Sequence, residues 1–191
     1  KTSTVEFLRQ LWERNTWNAV SLGTLGARSS TVLKVPSSGL TTPSSEYFFS
    51  ALNSFSKQNI SYLAIEASSH GLEQQRMNGL NVQVAVFTNL SRDHLDYHSN
   101  MDAYFESKQK LFLNYLADSG HAVINIDDPY GKKLLKNVRK RPVSIVTFGE
   151  DSQADFRIES IKPTGYGLEL NVLFKDKKYT CPLGLTGAFQ A

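Results

Sequence analysis

From residue 18 to residue 148, short apolar runs alternate with amphipathic helical patterns, and this alternation limits the fold more than any other feature of the chain. Residues 60–66 form an apolar run with a Leu-Ala-Ile centre, and residues 82–90 form a second; both are predicted to be buried strands. Residues 120–126 and 143–148 add two more. A helix is predicted from Pro43-Ser44-Ser45-Glu46 to Lys57, with Phe48, Leu52 and Phe55 on one face. Further helices are predicted over 71–77, over 101–116 with Tyr104, Leu111 and Tyr115 on one stripe, and over 128–138. Parallel strands need crossover connections, and helices of this length supply them. The fold class is therefore α/β, a mostly parallel sheet with helices on both faces.

The flanks read differently. Val5, Leu8, Leu11 and Trp12 recur at helical spacing with no Gly or Pro among them, which predicts a helix over 2–15. Residues 18–25 alternate weakly, as a strand would, and residues 27–43 carry Ser, Gly and Pro, a loop long enough to hold function. After residue 150 the helices stop. Residues 155–161, 168–174 and 178–183 read as three strands, with Thr164-Gly165-Tyr166-Gly167 as a hairpin turn. They predict a small antiparallel β-meander at the C-terminal end, set against the α/β body, so that the chain divides into 1–150 and 151–191.

Composition excludes several classes. With 40% hydrophobic and 20% charged residues over 191 positions, the chain is an ordinary soluble globular sequence with enough length for a sizeable core. A net charge of +3, with the basic residues scattered, argues against nucleic acid. The lone Cys181 excludes an internal disulfide framework and reads as a packed strand thiol; with no secretory or membrane segment this points to a cytoplasmic setting and no membrane partner. The chain opens at Lys1-Thr2-Ser3-Thr4 without Met and stops at Gly187-Ala188-Phe189-Gln190-Ala191, which reads as part of a longer protein.

Reactive side chains gather between Glu66 and Lys108. Two apolar runs end there in polar clusters, the arrangement by which neighbouring strands of open α/β sheets build sites beyond their carboxyl ends. Glu66 is equally a solvated strand-end carboxylate or an acidic Mg²⁺ ligand. Ser68-Ser69-His70-Gly71 lacks the Gly-x-Ser-x-Gly elbow and a third member, so capping or binding suits it better than a hydrolase nucleophile. Arg92-Asp93-His94-Leu95-Asp96-Tyr97-His98 has no His-Glu-x-x-His spacing, so zinc is not indicated; histidine beside carboxylates suits a weaker divalent-metal or phosphate site. Lys108 and Lys110 share one helix, and spacing does not choose between them. Asn125-Ile126-Asp127-Asp128-Pro129 is sufficient as a helix cap, with a nucleotide-base contact from Asn125 as the alternative. Lys1-Thr2 before a helix looks like the end of a phosphate-binding loop, but by itself it reads by default as a solvated first turn.

Taken together, these stretches resemble the Mur ligases, most of all the tripeptide-forming members. The resemblance is carried by Lys1-Thr2-Ser3-Thr4-Val5-Glu6-Phe7, by Ser21-Leu22-Gly23-Thr24-Leu25-Gly26, by Glu66-Ala67-Ser68-Ser69-His70-Gly71-Leu72 with Gln74 and Arg76, and by Thr88-Asn89-Leu90 leading into Ser91-Arg92-Asp93-His94-Leu95-Asp96-Tyr97-His98. Asn125-x-Asp127-Asp128 and Gly187-Ala188-Phe189 also fit. The match spans nearly the whole chain. It departs at Gln190, where the family commonly has Asn, at Ala67, where Val is usual, and at Leu40, where several relatives carry Asn; none of these removes a metal or phosphate group.

The resemblance implies a P-loop-type central ATPase domain, with its phosphate-loop glycines just before Lys1 and with separate UDP-binding and amino-acid-binding domains on either side. It implies an ATP-dependent ligase that joins meso-diaminopimelate or L-lysine to UDP-N-acetylmuramoyl-L-Ala-D-Glu through an acyl phosphate, acting as a monomer. In that reading Lys1, with Thr2, Ser3 and Asn125, holds ATP. Thr2 and Glu66 hold one Mg²⁺ and His94 a second. Lys108, carboxylated to a carbamate, stands near the metals, and Lys1, His94 and Lys108 are the catalytic set. Thr41, Thr42, Ser68, Gln74 and Arg76 position the nucleotide-sugar peptide. The rivals are a neighbouring Mur or folylpolyglutamate-type ligase and a non-catalytic nucleotide-binding module.

Overall fold

The computed structural model describes residues 1–31, 33, 38–92 and 97–185. In chain order the elements are helix α1 (Thr2–Arg14), strands β1 (Ala19–Gly23) and β2 (Gly26–Arg28), helix α2 (Ser45–Lys57), strand β3 (Tyr62–Ile65), helix α3 (Ser69–Glu73), strand β4 (Val82–Phe87) and helix α4 (Met101–Lys110). There follow strand β5 (Leu116–Asn125), helix α5 (Pro129–Val138) and strands β6 (Ser144–Gly149), β7 (Phe156–Thr164), β8 (Gly167–Phe174) and β9 (Lys177–Leu183). Two compact units divide them: α1 to α3 with β1 to β3 and α4 in one, β4 with β5 to β9 and α5 in the other.

In the first unit the sheet order is β2-β1-β3. β1 runs parallel to β3, with Val20 opposite Leu63 and Leu22 opposite Ile65, and antiparallel to β2. All five residues of β1 are buried. Against Val20 packs the inner face of α2, with Ala51 and Phe55, joined by Leu33, Leu52 and Leu63. Phe48 and Phe55 are almost fully buried, each contributing roughly 1.5–3 kcal/mol. Ser44 caps α2 by accepting the Tyr47 N–H.

Helix α1 forms as predicted and buries part of the predicted stripe: Val5 is in the core, Leu8 and Trp12 are half-buried, and the Trp12 ring lies 5.4 Å from that of Tyr62 on β3. Leu11 is 57% exposed, whereas Arg9 is buried. Glu6, Arg9 and Glu13 fall on one face at i,i+3 and i,i+4 spacing, and Arg9 bridges both carboxylates, at 3.1 Å to Glu6. Glu6 also accepts from the Ser21 hydroxyl on β1 and lies 3.7 Å from Arg28 on β2. A charged network thus joins this helix to its sheet beside the apolar contacts of Val5 and Trp12.

Helix α3 starts and stops earlier than predicted, because Ser68 is its N-cap and Gln75, at φ 54°, cannot continue a right-handed helix. Ser107 on α4 donates to the Ser69 carbonyl at 2.8 Å, tying α4 to α3. Beyond Lys110 the chain widens into π-helical turns over Leu111–Tyr115, with Phe112 and Tyr115 buried.

In the second unit the order is β4-β5-β6-β7-β8-β9. The first four strands are parallel and the last three antiparallel. The C-terminal strands form the expected antiparallel meander and extend the sheet, β7 pairing with β6 at Phe148–Phe156. β4 is buried only toward its end, at Ala85 and Phe87, with Val84 53% exposed. β5 starts four residues before its predicted position. Asp128 caps α5, accepting from Tyr130 at 2.7 Å and Gly131 at 3.3 Å, and takes the Leu90 N–H at 2.7 Å on its other oxygen. Cys181 lies half-buried on β9. Among the described residues no helix is long and apolar enough to cross a membrane.

The expectation of Glu66 and the 91–98 run on neighbouring strands is corrected by this topology. β3 pairs with β1 and β4 with β5, each in a different sheet. Apolar runs report that strands are buried and are silent on which strands pair.

Candidate active site

β1 and β3 run parallel and finish side by side at Gly23 and Ile65, which places the residues after them in a carboxyl-end crevice. Glu66 is the first residue beyond β3, held by its N–H donating to the Leu22 carbonyl at 2.9 Å. It is only 2% exposed. Its carboxylate accepts from the Thr2 hydroxyl at 3.0 Å, the Thr24 N–H at 2.9 Å and the Thr24 hydroxyl at 3.3 Å. Gly23 makes room for it: a Cβ at that position would lie 2.1 Å from Glu66 Oε1.

These donors are neutral, and among the described residues Glu66 forms no ion pair. A buried carboxylate without a counter-charge costs several kcal/mol, so the arrangement favours a cation. The oxygens available are hard donors: Glu66, Thr2 and Thr24, with Thr41 Oγ1 3.0 Å from Thr24 Oγ1. No group of three or more His, Cys, Asp or Glu side chains gathers among the described residues. That donor set fits Mg²⁺, which is held by one or two carboxylates and completes its shell with phosphate and water. It does not fit zinc.

A cleft of about 450 Å³ opens here. Lys1, Thr2 and Thr24 line one side, and Leu40, Thr41, Thr42, Ser68, His70 and Arg76 the other, with Glu66 among them. Thr42 is buried and braces the wall: its hydroxyl donates to the Glu66 carbonyl at 2.7 Å and accepts the Ser68 N–H at 2.9 Å. Gly71 packs on Thr42, where a Cβ would come within 2.6 Å of its side chain. Ser68 caps α3, accepting the Gly71 N–H at 3.0 Å. Arg76 donates through Nη1 to the Thr42 carbonyl at 2.8 Å and through Nε and Nη2 to Gln74 Oε1 at 3.0 and 2.6 Å.

The description of the Mur ligase middle domain matches residues 1–191. The chain belongs to the Mur ligase family. The UDP-N-acetylmuramoyl-L-alanyl-D-glutamate–2,6-diaminopimelate ligase of Zymomonas mobilis is 38% identical over 190 residues, covering 100% of this chain and 38% of the relative. The ligase of the same name from Chromobacterium violaceum is 37% identical over 191 residues, again covering 100% of this chain and 38% of its own length. A solved structure of a UDP-N-acetylmuramoyl-L-alanyl-D-glutamate–2,6-diaminopimelate ligase superposes with a TM-score of 0.87 at 31% identity, over 99% of this chain and 38% of that one. A Thermotoga maritima MurF ligase solved with ADP shares the fold, with a TM-score of 0.62 at 18% identity over 94% of this chain and 37% of that one. The chain thus spans 38% of the length of these full-coverage ligase relatives.

In this Mur ligase domain the cleft unites most of the predicted residues: Lys1, Thr2 and Glu66 with Thr41, Thr42, Ser68 and Arg76. Ser3 is exposed on the first turn of α1, and Gln74 stands behind Arg76 rather than on the cleft wall. Lys108 reaches back from α4, its Nζ donating to the Ala67 carbonyl at 3.0 Å, one residue beyond Glu66. Lys110 instead pairs with Glu73 at 2.7 Å. Asn125 belongs to the other unit, at the end of β5, where its side-chain oxygen accepts the Asp127 N–H at 2.9 Å. His94 lies outside the described residues. Sequence reasoning missed Thr24, Leu40 and His70 as wall residues; the available signal was Gly23-Thr24 following the Ser-Leu run, which places a hydroxyl at a strand end.

Proposed function

We propose that this domain binds ATP and the acidic peptide of UDP-N-acetylmuramoyl-L-Ala-D-Glu, within a cytoplasmic, monomeric ligase that adds meso-diaminopimelate or L-lysine for cell-wall peptidoglycan. The observation that carries the reading is the buried Glu66 carboxylate, joined to the Thr2 hydroxyl, at the floor of a polar cleft that also presents Lys1 and Arg76. The diaminopimelate-ligase names of the relatives support it.

The chemistry opposes two anions. A carboxylate oxygen of the substrate attacks the γ-phosphorus of ATP, and the bond to the bridging oxygen breaks to release ADP. The incoming amine attacks the acyl carbon of the resulting acyl phosphate, loses a proton, and phosphate leaves. Thr2 and Glu66 would hold one Mg²⁺ and His94 a second, and the bound ions would neutralise charge at the phosphates. Lys1 and Ser3 bind the terminal phosphates. Arg76 presents a planar donor fork to substrate carboxylate or pyrophosphate, with Gln74 holding its plane. Thr41 and Ser68 hydrogen-bond the substrate from the cleft wall that Thr42 braces.

Lys108 is proposed to act as a carbamate. Its neutral amine attacks CO₂, an N–C bond forms and a proton is released, which converts a cation one residue from Glu66 into an anion that ligates or orients metal-bound water. The test of the whole reading is phosphate release by the full-length protein with ATP and UDP-muramoyl dipeptide, with diaminopimelate or lysine added in turn. Amine-dependent release is expected with one of them, and no release with either removes the ligase reading. These 191 residues alone are expected to release none.

A further inference from the structure

Arg76 is the cation on the peptide-facing wall of the cleft, and its orientation is set by a chain of contacts that ends at Tyr97. A guanidinium has donors only, so Gln74 must turn its oxygen toward Arg76, which leaves the Gln74 amide nitrogen facing the other way. That nitrogen lies 3.4 Å from the Tyr97 hydroxyl and donates to it. The phenol oxygen is then the acceptor, and its own proton has no acceptor among the described residues. Meanwhile the Tyr97 ring rests on His70, with centroids 4.0 Å apart and planes at 43°. His70 lines the same cleft as Arg76.

His70 is the second residue of α3, and Gln74 follows its last. Tyr97 therefore touches both ends of the element that forms this wall, one end through its ring and the other through its hydroxyl. It is 43% exposed and reaches the cleft through its contacts with Gln74 and His70. Gln74 and Arg76 belong to a segment whose backbone is turned at Gln75, φ 54°. Arg76 is also held by the Thr42 carbonyl at 2.8 Å, whereas among the described residues the Gln74 side chain has Tyr97 as its partner beyond Arg76. Tyr97 thus holds it from a different part of the chain.

We propose that Tyr97 is a positioning residue for the acidic substrate: through Gln74 it fixes the plane of the Arg76 fork, and through ring contact it fixes the His70 imidazole. A carboxylate-bearing peptide then meets a preset pair of donors instead of ordering them on binding, which is where preorganisation raises affinity. This rests on the ligase reading above and assigns a role to a residue which that reading leaves without one.

The experiment is steady-state kinetics and calorimetric titration on the full-length protein. Tyr97→Phe, which keeps the ring on His70 and removes the hydroxyl, is expected to raise KM for UDP-muramoyl dipeptide by roughly three- to tenfold, the scale of one hydrogen bond. The KM for ATP and kcat should stay within about twofold. Tyr97→Ala should raise the peptide KM further. In an Arg76→Lys background, which cannot make the paired contact with Gln74, Tyr97→Phe should add nothing. An unchanged peptide KM in Tyr97→Phe, an equal rise in the ATP KM, or additive effects with Arg76→Lys would overturn the proposal. Titration separates it from the reading beneath it. Wild-type binding without phosphate release removes the ligase activity alone, whereas equal dipeptide affinity in wild type and Tyr97→Phe removes the role of Tyr97 alone. Absence of dipeptide binding by the wild type removes both.

Discussion

The hydroxyl of Thr2 donates to the carboxylate of Glu66 at 3.0 Å, across 64 positions of sequence. The start of α1 and the end of β3 are thereby fastened together around a negative charge that water barely reaches. Glu66→Gln keeps the shape and removes the charge. In the full-length protein this change is expected to lower phosphate release by about 100-fold or more, the scale lost when a preorganised electrostatic partner is removed. Nucleotide titrations with and without Mg²⁺ give the sharper check. The wild type should bind more tightly with Mg²⁺ and the variant should show little difference; an undiminished Mg²⁺ effect would exclude Glu66 as the ligand.

Gly23 is the companion of that carboxylate. A Cβ there would stand 2.1 Å from Glu66 Oε1, so Gly23→Ala must push the carboxylate aside or shift β1 against β3. Overpacking of this kind costs about 1–3 kcal/mol, and the melting midpoint should fall accordingly. Phosphate release should fall with it, because the displaced group is the proposed metal ligand. A variant with wild-type melting and wild-type release would show that the crevice is looser than its geometry implies.

The alternation of strand and helix was readable because each element has its own period and its own punctuation. Ser44, Ser68 and Asp128 cap helices by accepting backbone N–H groups two or three residues on, a rule local enough to see in a sequence. Sheet membership was not readable. β3 and β4 are alike as apolar runs, yet they pair with different partners in different sheets, a choice made by residues far away in the chain. The same limit hid the charged part of the inner face of α1, where Glu6 and Glu13 meet the buried Arg9 and Ser21 in turn donates to Glu6. At the site, Glu66 and Arg76 stood out by charge, whereas Thr24, His70 and Tyr97 acquire meaning only from what lies opposite them. The β8–β9 turn was bracketed by its flanking strands but its type was not readable: Lys175 and Asp176 adopt φ of 50° and 59°, the tight hairpin geometry for which Asn-Gly is the usual signal.

The network on α1 makes stability depend on pH. Burial pushes the Glu6 carboxyl up, but hydrogen bonds from Ser21 and Arg9, with the charges of Arg9 and Arg28, outweigh it and hold the group below its ordinary 4.5. A carboxyl depressed in the folded state stabilises the fold above its unfolded value and loses that contribution as pH falls through its folded value. Glu6→Gln should therefore be less stable than wild type at pH 7, by about 1–3 kcal/mol for a charge-assisted hydrogen bond. The gap should close as pH drops below about 4.5. Denaturant unfolding of both proteins at pH 7 and in the acid range checks this; a gap that persists unchanged at low pH would place its cause in packing.

Two lysines two positions apart on α4 have opposite prospects. Lys110 pairs with Glu73 at 2.7 Å, both partly exposed, and Lys110→Ala should cost less than about 1 kcal/mol in stability while leaving ligation in place. Lys108 turns the other way, to the Ala67 carbonyl at 3.0 Å and over the Tyr104 ring at 5.9 Å. A bare ammonium there would repel a cation bound at Glu66, so activity requires either its displacement or its conversion to an anion. Conversion predicts a specific signal. Full-length protein equilibrated with ¹³C-bicarbonate should show a carbamate carbon by NMR that vanishes in Lys108→Ala and persists in Lys110→Ala. Lys108→Ala should also lower phosphate release by about 100-fold or more. A carbamate signal unaffected by Lys108→Ala would move the modification elsewhere. Undiminished ligation in that variant would show that the charge at this position, whichever its sign, does not enter the reaction.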